Sequence, residues 1–388
     1  MDDAASPPPP AGVRRRDLLA GGIGLTASLA VAGCTAAPPP EPSASPATGA
    51  APPTSRPPRP TEAPGRTYRA IDGYLYDPSG ALFVPIGANV GTTSSFDWKG
   101  DARGHARDAL AWGWNTVRLN LMVDGAYSWS YVAQHSQSAL LDLTARFVDE
   151  YTGLGIVVIL DAHDNPRAKG LDSAAVTAAM VSWWEKAASA FADNPRVWSG
   201  LINEPAYTND DWVSILDTLA AAVRGTGNPN PVLIGAPCWG QDTGPTAPYF
   251  ADAKFSYDAT MAPVLARRYD NLVLEQHNYG AYDRYTTAPG LGAYLSRVRE
   301  AGLAPLIAEF GYTVKETDSP EVYRANLDAA QAVVAVARDL SVGALWWHAT
   351  HGDHYSLKAD GGAFWKGGNR SGLSAGGAQL WQLGHTGR

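Results

Sequence analysis

From residue 67 onward the chain alternates short apolar, β-branched runs with longer segments whose apolar residues recur at helical spacing. The runs are Leu82–Ala88, Trp114–Leu121, Gly155–Leu160, Val197–Ile202, Pro231–Gly235, Asn271–Gln276, Pro305–Ala308 and Val342–Trp347. Helical patterns cover Ser138–Gly153, Ser173–Ala192, Trp212–Arg224, Leu291–Ala301 and Pro320–Leu340; in the first, Leu140, Leu141, Leu143, Phe147 and Val148 form a stripe. Continuous apolar strands alternating with helices predict a parallel sheet covered on its faces. Eight such units in about 320 residues predict a single (β/α)8 TIM barrel over residues 67–388. An open doubly wound sheet is the alternative. Against it, Gly87-Ala88-Asn89-Val90-Gly91 after the first strand lacks the G-x-G-x-x-G spacing of a dinucleotide turn.

The front of the chain is different. Fifteen of its 29 Pro lie before residue 66, and all 13 Trp lie after residue 97. A segment with proline and no large aromatic anchors builds no core. Within it, Arg14-Arg15-Arg16-Asp17-Leu18-Leu19 leads into a weakly apolar stretch ending at Gly33-Cys34. A basic start, a short apolar segment and a small-residue exit predict a signal peptide over residues 1–34. The arginines resemble a twin-arginine export signal. Val31-Ala32-Gly33-Cys34 resembles a bacterial lipobox, which implies lipidation of Cys34. Residues 35–66, rich in Pro, Ala, Ser and Thr, read as a disordered, extended linker. The protein is therefore expected to be exported, as a cell-surface lipoprotein or a secreted form, with the lipid anchor as its one membrane contact.

Composition narrows the rest. Thirty Lys+Arg against 38 Asp+Glu give a net charge of −8, with 45% hydrophobic residues. That excludes a wholly disordered chain and a nucleic-acid binder working through a basic surface. No apolar run reaches the length of a spanning helix. Two cysteines, Cys34 and Cys238, exclude a disulfide framework and any multi-cysteine metal site. Cys238 is expected to be a reduced, partly buried thiol. No cofactor or metal is expected, and a monomer is.

A barrel puts its chemistry at the C-terminal ends of its strands. There the sequence carries Arg118, then Asp161, His163 and Asp164, then Asn203-Glu204-Pro205. Further on come Cys238-Trp239-Gly240-Gln241-Asp242, His277-Asn278-Tyr279, Glu309-Phe310-Gly311 and Trp346-Trp347-His348. Glu204 and Glu309 each follow an apolar run, where an ionised carboxylate is costly unless neighbours hold it. One such glutamate could be a structural ion pair. Two, at the ends of the fourth and seventh strands, fit the carboxylate pair that glycoside hydrolysis needs.

The ordered set Asn203-Glu204-Pro205, His277-x-Tyr279 and Ile307-Ala308-Glu309-Phe310-Gly311 resembles glycoside hydrolase family 5, retaining barrel glycosidases that include cellulases and β-mannanases. The resemblance spans nearly all of residues 70–350. It implies Glu204 as acid/base, Glu309 as nucleophile, and Asn203 bonded to the sugar 2-hydroxyl. Arg118, His163, His277 and Tyr279 become the supporting shell. Glu204 must then hold a proton while Glu309 stays ionised, with Arg118 and the Tyr279 hydroxyl as stabilisers. A tryptophan ending the eighth strand would floor the subsite where the bond breaks. Trp346 and Trp347 point to opposite faces of a regular strand, so one of the two does this, and the sequence leaves the choice open.

The substrate implied is a neutral β-linked polysaccharide or oligosaccharide. Trp346, Trp347, Trp239, Gln241 and Asp242 are the candidate binding residues, since aromatic faces stack on sugar rings and Trp-x-Gln-Asp turns occur in cellulose- and mannan-cleaving relatives alike. An endo-β-1,4-glucanase is the first reading and a β-1,4-mannanase the second. A non-catalytic carbohydrate-binding lipoprotein and a two-lobed solute-binding lipoprotein are the rivals from other classes. His348, His351 and His354 cluster after the eighth strand and are read as polar cleft lining in preference to a metal site. The Gly-rich region 356–388 aligns with nothing; Gly361–Trp365 in it either covers the cleft or packs beneath the barrel.

Overall fold

The computed structural model describes residues 65–91, 101–126, 130–164, 173–246, 250–280, 285–311, 320–349, 357 and 372–385. All fall in one compact unit, Arg56–Arg388. The expected signal segment, Cys34 and most of the linker lie outside the described residues, as do His351, His354 and Gly361–Trp365.

Ten strands are described. β1 (Arg69–Ile71) and β2 (Tyr74–Tyr76) form an antiparallel hairpin. The other eight are β3 (Ile86–Gly91), β4 (Thr116–Leu121), β5 (Val157–Ala162), β6 (Val197–Gly200), β7 (Val232–Gly235), β8 (Leu272–Asn278), β9 (Ala304–Phe310) and β10 (Gly343–Trp346). They close into one parallel barrel in the order β10-β3-β4-β5-β6-β7-β8-β9. The helices between them include α1 (Ala102–Ala111), α2 (Tyr131–Gln134), α3 (Gln137–Gly153), α4 (Ser173–Ala190) and α5 (Asn209–Gly225). After them come α6 (Ala262–Ala266), α7 (Ala288–Glu300), α8 (Pro320–Leu340) and α9 (Ala375–His385). The (β/α)8 architecture is the one the alternating pattern predicts, and its single closed ring excludes the two-lobed solute-binding reading.

Alternation along each strand divides the apolar residues between two cores. Outward-facing residues such as Val117, Leu119, Val158 and Leu160 pack under the helices with Phe147, Trp184 and Leu216. Inward-facing Val157, Ile159, Trp198, Leu233, Val273 and Leu306 fill the barrel's lower interior. Tyr68 and Leu75 from the hairpin region close that interior from below, where Tyr68 and Phe83 meet the Trp198 ring edge-on at 5.4 and 5.9 Å.

The hairpin explains the late start of β3. The predicted Leu82–Ala88 run is split: Phe83 N–H donates to Leu75 O at 2.8 Å, so its first half extends the hairpin and the barrel strand starts at Ile86. Gly155 and Gly302, at φ +83° and +82°, end the helix-to-strand turns after α3 and α7 in the left-handed conformation that glycine adopts freely.

Candidate active site

Above the apolar floor, the inward positions turn polar on strand after strand. Arg118 and Asn120 on β4, Asp161 on β5, and Glu275 and His277 on β8 all occupy the inward alternation. Arg118 is the hub, fully buried. Its Nη1 donates to Asn89 Oδ1 at 2.9 Å and Glu309 Oε1 at 2.8 Å. Its Nη2 donates to Asp161 Oδ1 at 2.9 Å, Asn203 Oδ1 at 3.0 Å and Glu275 Oε1 at 2.5 Å. Burial alone would lower its proton affinity, but the charges of Asp161, Glu275 and Glu309 outweigh that and hold it above the ordinary arginine value.

Glu309 reaches the interior by a break in alternation. Opposite β8, Gln276 pairs with Ile307 and His277 with Glu309, so Ala308 is an extra residue, a β-bulge. The register against β10 slips at the same place. Ala308 packs inward with the barrel core, and the bulge brings the next side chain in as well. Phe310 is then free to turn out against Trp346, ring centroids 5.3 Å apart. Besides Arg118, Glu309 accepts from the Tyr279 hydroxyl at 3.0 Å. Burial pushes its carboxyl above the ordinary glutamate value, opposed by the charges of His277 and Arg118 and reinforced by that of Glu204.

Glu204 follows β6 with φ +44°, a left-handed backbone uncommon for a side chain of this size. It is the more open of the pair, its side chain 18% exposed against 3% for Glu309. His277 lies between them. Its Nδ1 is 3.2 Å from Glu204 Oε1 and 3.4 Å from Glu309 Oε2, and its Nε2 is 3.0 Å from Glu275 Oε1. Burial disfavours its charge, but Glu309, Glu204 and Glu275 prevail and push it up to about 10. One ligating atom from each of Glu204, His277 and Glu309 falls within 4.8 Å of the others, so an oxygen of each carboxylate is within that distance. The trio could hold a cation, but an imidazolium between two acids accounts for the cluster by itself.

The loop after β7 backs this arrangement. Cys238, Trp239 and Gly240 are all left-handed, at φ +58°, +57° and +74°, and Gly240 O accepts from His277 N–H at 2.7 Å. A Cβ on Gly240 would stand 2.8 Å from the His277 ring.

The remaining predicted residues divide. His163 Nδ1 is 2.7 Å from Asp161 Oδ2, and its ring stacks on Trp347 at 5.3 Å with planes 8° apart. Asn203 turns its Oδ1 to Arg118, leaving its NH2 group on the far side of the amide. Trp239 and Gln241 are half-buried at the mouth, with Trp239 edge-on to Phe250 at 4.8 Å. Two candidates are corrected. Trp346 is buried between barrel and helices, so of the adjacent pair it is Trp347 that stands beside the polar cluster. Asp242 is fully buried. Its carboxylate accepts from Ser256 N–H at 2.8 Å, Ser256 O–H at 2.5 Å and Tyr294 O–H at 2.6 Å, so it braces the β7 loop and has no surface to offer a sugar. Cys238 is fully, not partly, buried, and burial pushes its thiol up to about 11.

Asn89, Asn120 and Glu275 were not singled out from the sequence, and Asp161 was named only as a polar strand-end residue without a role in the site. Three of these are two residues from a predicted one: Asn120 with Arg118 on β4 and Glu275 with His277 on β8, each pair on one face of its strand, and Asp161 on β5 with His163 just beyond the strand's end. Period-two spacing was the signal that could have found them.

Two carboxylates this close, one shut in against a guanidinium and the other reaching toward solvent, are suited to nucleophilic and acid/base work on a glycosidic bond. The cellulase profile of glycosyl hydrolase family 5 matches residues 84–353, and the chain belongs to that family. It is 27% identical over 281 residues to a mannan endo-1,4-β-mannosidase of Streptomyces lividans, covering 71% of this chain and 64% of that protein. It is 26% identical over 274 residues to β-mannanase/endoglucanase A of Caldicellulosiruptor saccharolyticus, covering 69% of this chain and 18% of that protein. The chain thus spans less than two thirds of these relatives. The structure of a β-mannanase from Streptomyces thermolilacinus with mannohexaose superposes with a TM-score of 0.62 at 22% identity, over 83% of this chain and 96% of that one.

Proposed function

We propose that the protein is a retaining endo-β-1,4-glycanase with Glu309 as nucleophile and Glu204 as acid/base. The observation that carries this reading is the proximity of the two carboxylates, whose nearest ligating oxygens lie within 4.8 Å. Retaining enzymes keep the two carboxyl groups about 5–5.5 Å apart, whereas inverting enzymes need room for a water between them. In the first step Glu309 attacks the anomeric carbon as the bond to the leaving oxygen breaks, and Glu204 gives that oxygen its proton. Glu309, now esterified, no longer carries charge. Glu204 then takes a proton from water, whose oxygen attacks the same carbon and releases Glu309.

The supporting groups follow the same logic. Arg118 and the Tyr279 hydroxyl hold Glu309 charged until it attacks. The NH2 of Asn203 is available to a sugar hydroxyl, and Trp347, braced by His163, supplies an aromatic face for the ring at the cleavage point. On the substrate, β-1,4-mannan takes first place over the glucan that the sequence favoured. The Trp239-Gly240-Gln241-Asp242 turn argues for neither, since Asp242 is interior, and both curated relatives quoted above carry mannan in their names. Glucan stays as the second reading because one of them is also named an endoglucanase. The experiment is a panel of galactomannan, soluble cellulose derivative, mixed-linkage glucan and xylan, run with wild type and Glu309→Gln. Release from galactomannan that the variant abolishes, with the β-anomer as the first product by proton NMR, is expected. No release from any glycan, or an inverted first product, overturns the proposal.

The leader with Arg14-Arg15-Arg16 and Cys34 supports export as a lipid-anchored protein. Cys34→Ser is expected to release the protein from the cell-surface fraction; unchanged fractionation counts against anchoring.

A further inference from the structure

Glu275 is a third buried acid beneath the reacting pair, 1% exposed, and the reaction as written gives it no role. It sits on β8, two residues before His277 and on the same face. One of its oxygens meets both arms of the site: Arg118 Nη2 at 2.5 Å and His277 Nε2 at 3.0 Å. An ionised carboxylate only accepts hydrogen bonds, so a ring nitrogen facing it must carry the proton. With Nε2 committed downward, Nδ1 alone faces Glu204 and Glu309. The same logic orients the histidine of a serine protease through a buried aspartate.

We propose that Glu275 is a positioning residue for the acid/base step: it fixes the protonated Nε2 and the ring orientation of His277, and through Arg118 ties that ring to the counter-ion of the nucleophile. The proposal rests on the glycosidase reading above and extends it to a residue that touches no substrate. The charged groups acting on His277 are Glu275 from its own strand, Glu204 after β6, Glu309 on β9, and Arg118 on β4 through Glu275. Asp161 and His163 on the β5 side lie one contact further, through Arg118. Removing the Glu275 charge weakens the hold on the His277 proton while leaving the other groups in place.

The test is the pH profile of kcat/KM for Glu275→Gln, with nitrogen NMR of histidine-labelled wild type and Glu275→Asp alongside. We expect Glu275→Gln to lose about 10- to 100-fold, as loss of a carboxylate behind a functional histidine does elsewhere. Its alkaline limb should move down by about one pH unit or more, and Glu275→Asp should restore part of both. In wild type both ring nitrogens of His277 should stay protonated above pH 8. A profile that only drops in amplitude, with neither limb moved, overturns the proposal. So does a His277 that titrates near its ordinary value or sits neutral with the proton on Nδ1. The NMR reading stands by itself if Glu275→Gln fails to fold or if wild type cleaves no tested glycan, and the latter result counts against the glycanase reading alone.

Discussion

Arg118 and Glu309 meet through a 2.8 Å hydrogen bond although 191 residues separate them in sequence, and both are buried. Arg118 serves three buried carboxylates, Asp161, Glu275 and Glu309. Truncating one partner of a buried ion pair leaves uncompensated charge, which costs about 3–5 kcal/mol, and here three acids lose their guanidinium together. Arg118→Ala is expected to lower stability by at least that much in denaturant unfolding. Arg118→Lys keeps the charge but reaches one or two acceptors where the fork reaches five. It should fold and lose most of its activity, which unfolding and kcat/KM measured on one preparation will separate.

The adjacent tryptophans make the sharpest contrast between scaffold and site. Trp346 is 1% exposed and packs on Phe310. A Cβ on Gly376 of α9 would also stand against its ring. Trp346→Ala opens a cavity, and such truncations cost about 3–5 kcal/mol. Trp347 stacks on His163 and is half-buried. Trp347→Ala should change the unfolding midpoint little and reduce kcat/KM on oligosaccharides by up to about tenfold, in line with a lost ring-stacking contact of about 0.5–1.5 kcal/mol. Equal destabilisation by the two variants would contradict the assignment.

The pattern of this contrast shows what was legible in the sequence. All eight barrel strands were, because each is a short run buried on both faces and bounded by helical periodicity. The five long helices were legible from their stripes. α9 was not: Ala375–His385 holds three glycines and falls in the Gly-rich region that aligned with nothing. In the fold, those glycines are what lets the helix dock, since a Cβ on Gly376, Gly377 or Gly384 would collide with Trp346, Leu357 O or Trp112 O. The hairpin was hidden because its strands have three residues each. Within the site, Glu204 and Glu309 could be named because a carboxylate after an apolar run is anomalous. The bulge at Ala308 that turns Glu309 inward left no mark in composition. Asp242 misled for the opposite reason: a polar residue at a strand's end looks like a ligand contact until Ser256, Tyr294 and the β7 loop close around it.

The site's pH behaviour follows from its charges. Glu309 is held above the ordinary glutamate range, chiefly by burial, and as the proposed nucleophile it must be ionised to attack. Activity should therefore rise with pH through a limb above the usual carboxylate values. His277 is pushed up to about 10, since burial is outweighed by Glu309, Glu204 and Glu275. A histidine raised in the folded state stabilises fully below its unfolded value of about 6.5. That contribution falls as pH rises and is gone once His277 loses its proton near 10. Stability measured by denaturant at pH 6, 8 and 10 should decline across that window. His277→Gln should flatten the decline while abolishing most activity; an unchanged slope would show that another group titrates there.

A second acid pair sits beside the site without belonging to it. Asp164, after β5, is fully buried and accepts from Val123 N–H at 2.7 Å. Burial, then the hydrogen bond and charge of Asp124, hold its carboxyl well above the ordinary aspartate value. With Asp124 beside it, Asp164 is the group that holds a proton, since two adjacent carboxyls cannot both ionise cheaply. The sign is that of a raised acid: the folded state binds the proton more tightly than the unfolded chain. The stabilisation is therefore complete below about pH 4 and is lost as pH rises toward the folded value. Asp164→Asn replaces the Asp164 proton with a permanent N–H donor to Asp124 and keeps an oxygen for Val123. It should match wild type in stability near pH 5 and exceed it near pH 8, with kcat/KM retained because Asp164 bonds to none of the reacting groups. Unfolding curves at the two pH values decide this, and a variant less stable than wild type at pH 8 would show that Asp164 is held there as a carboxylate.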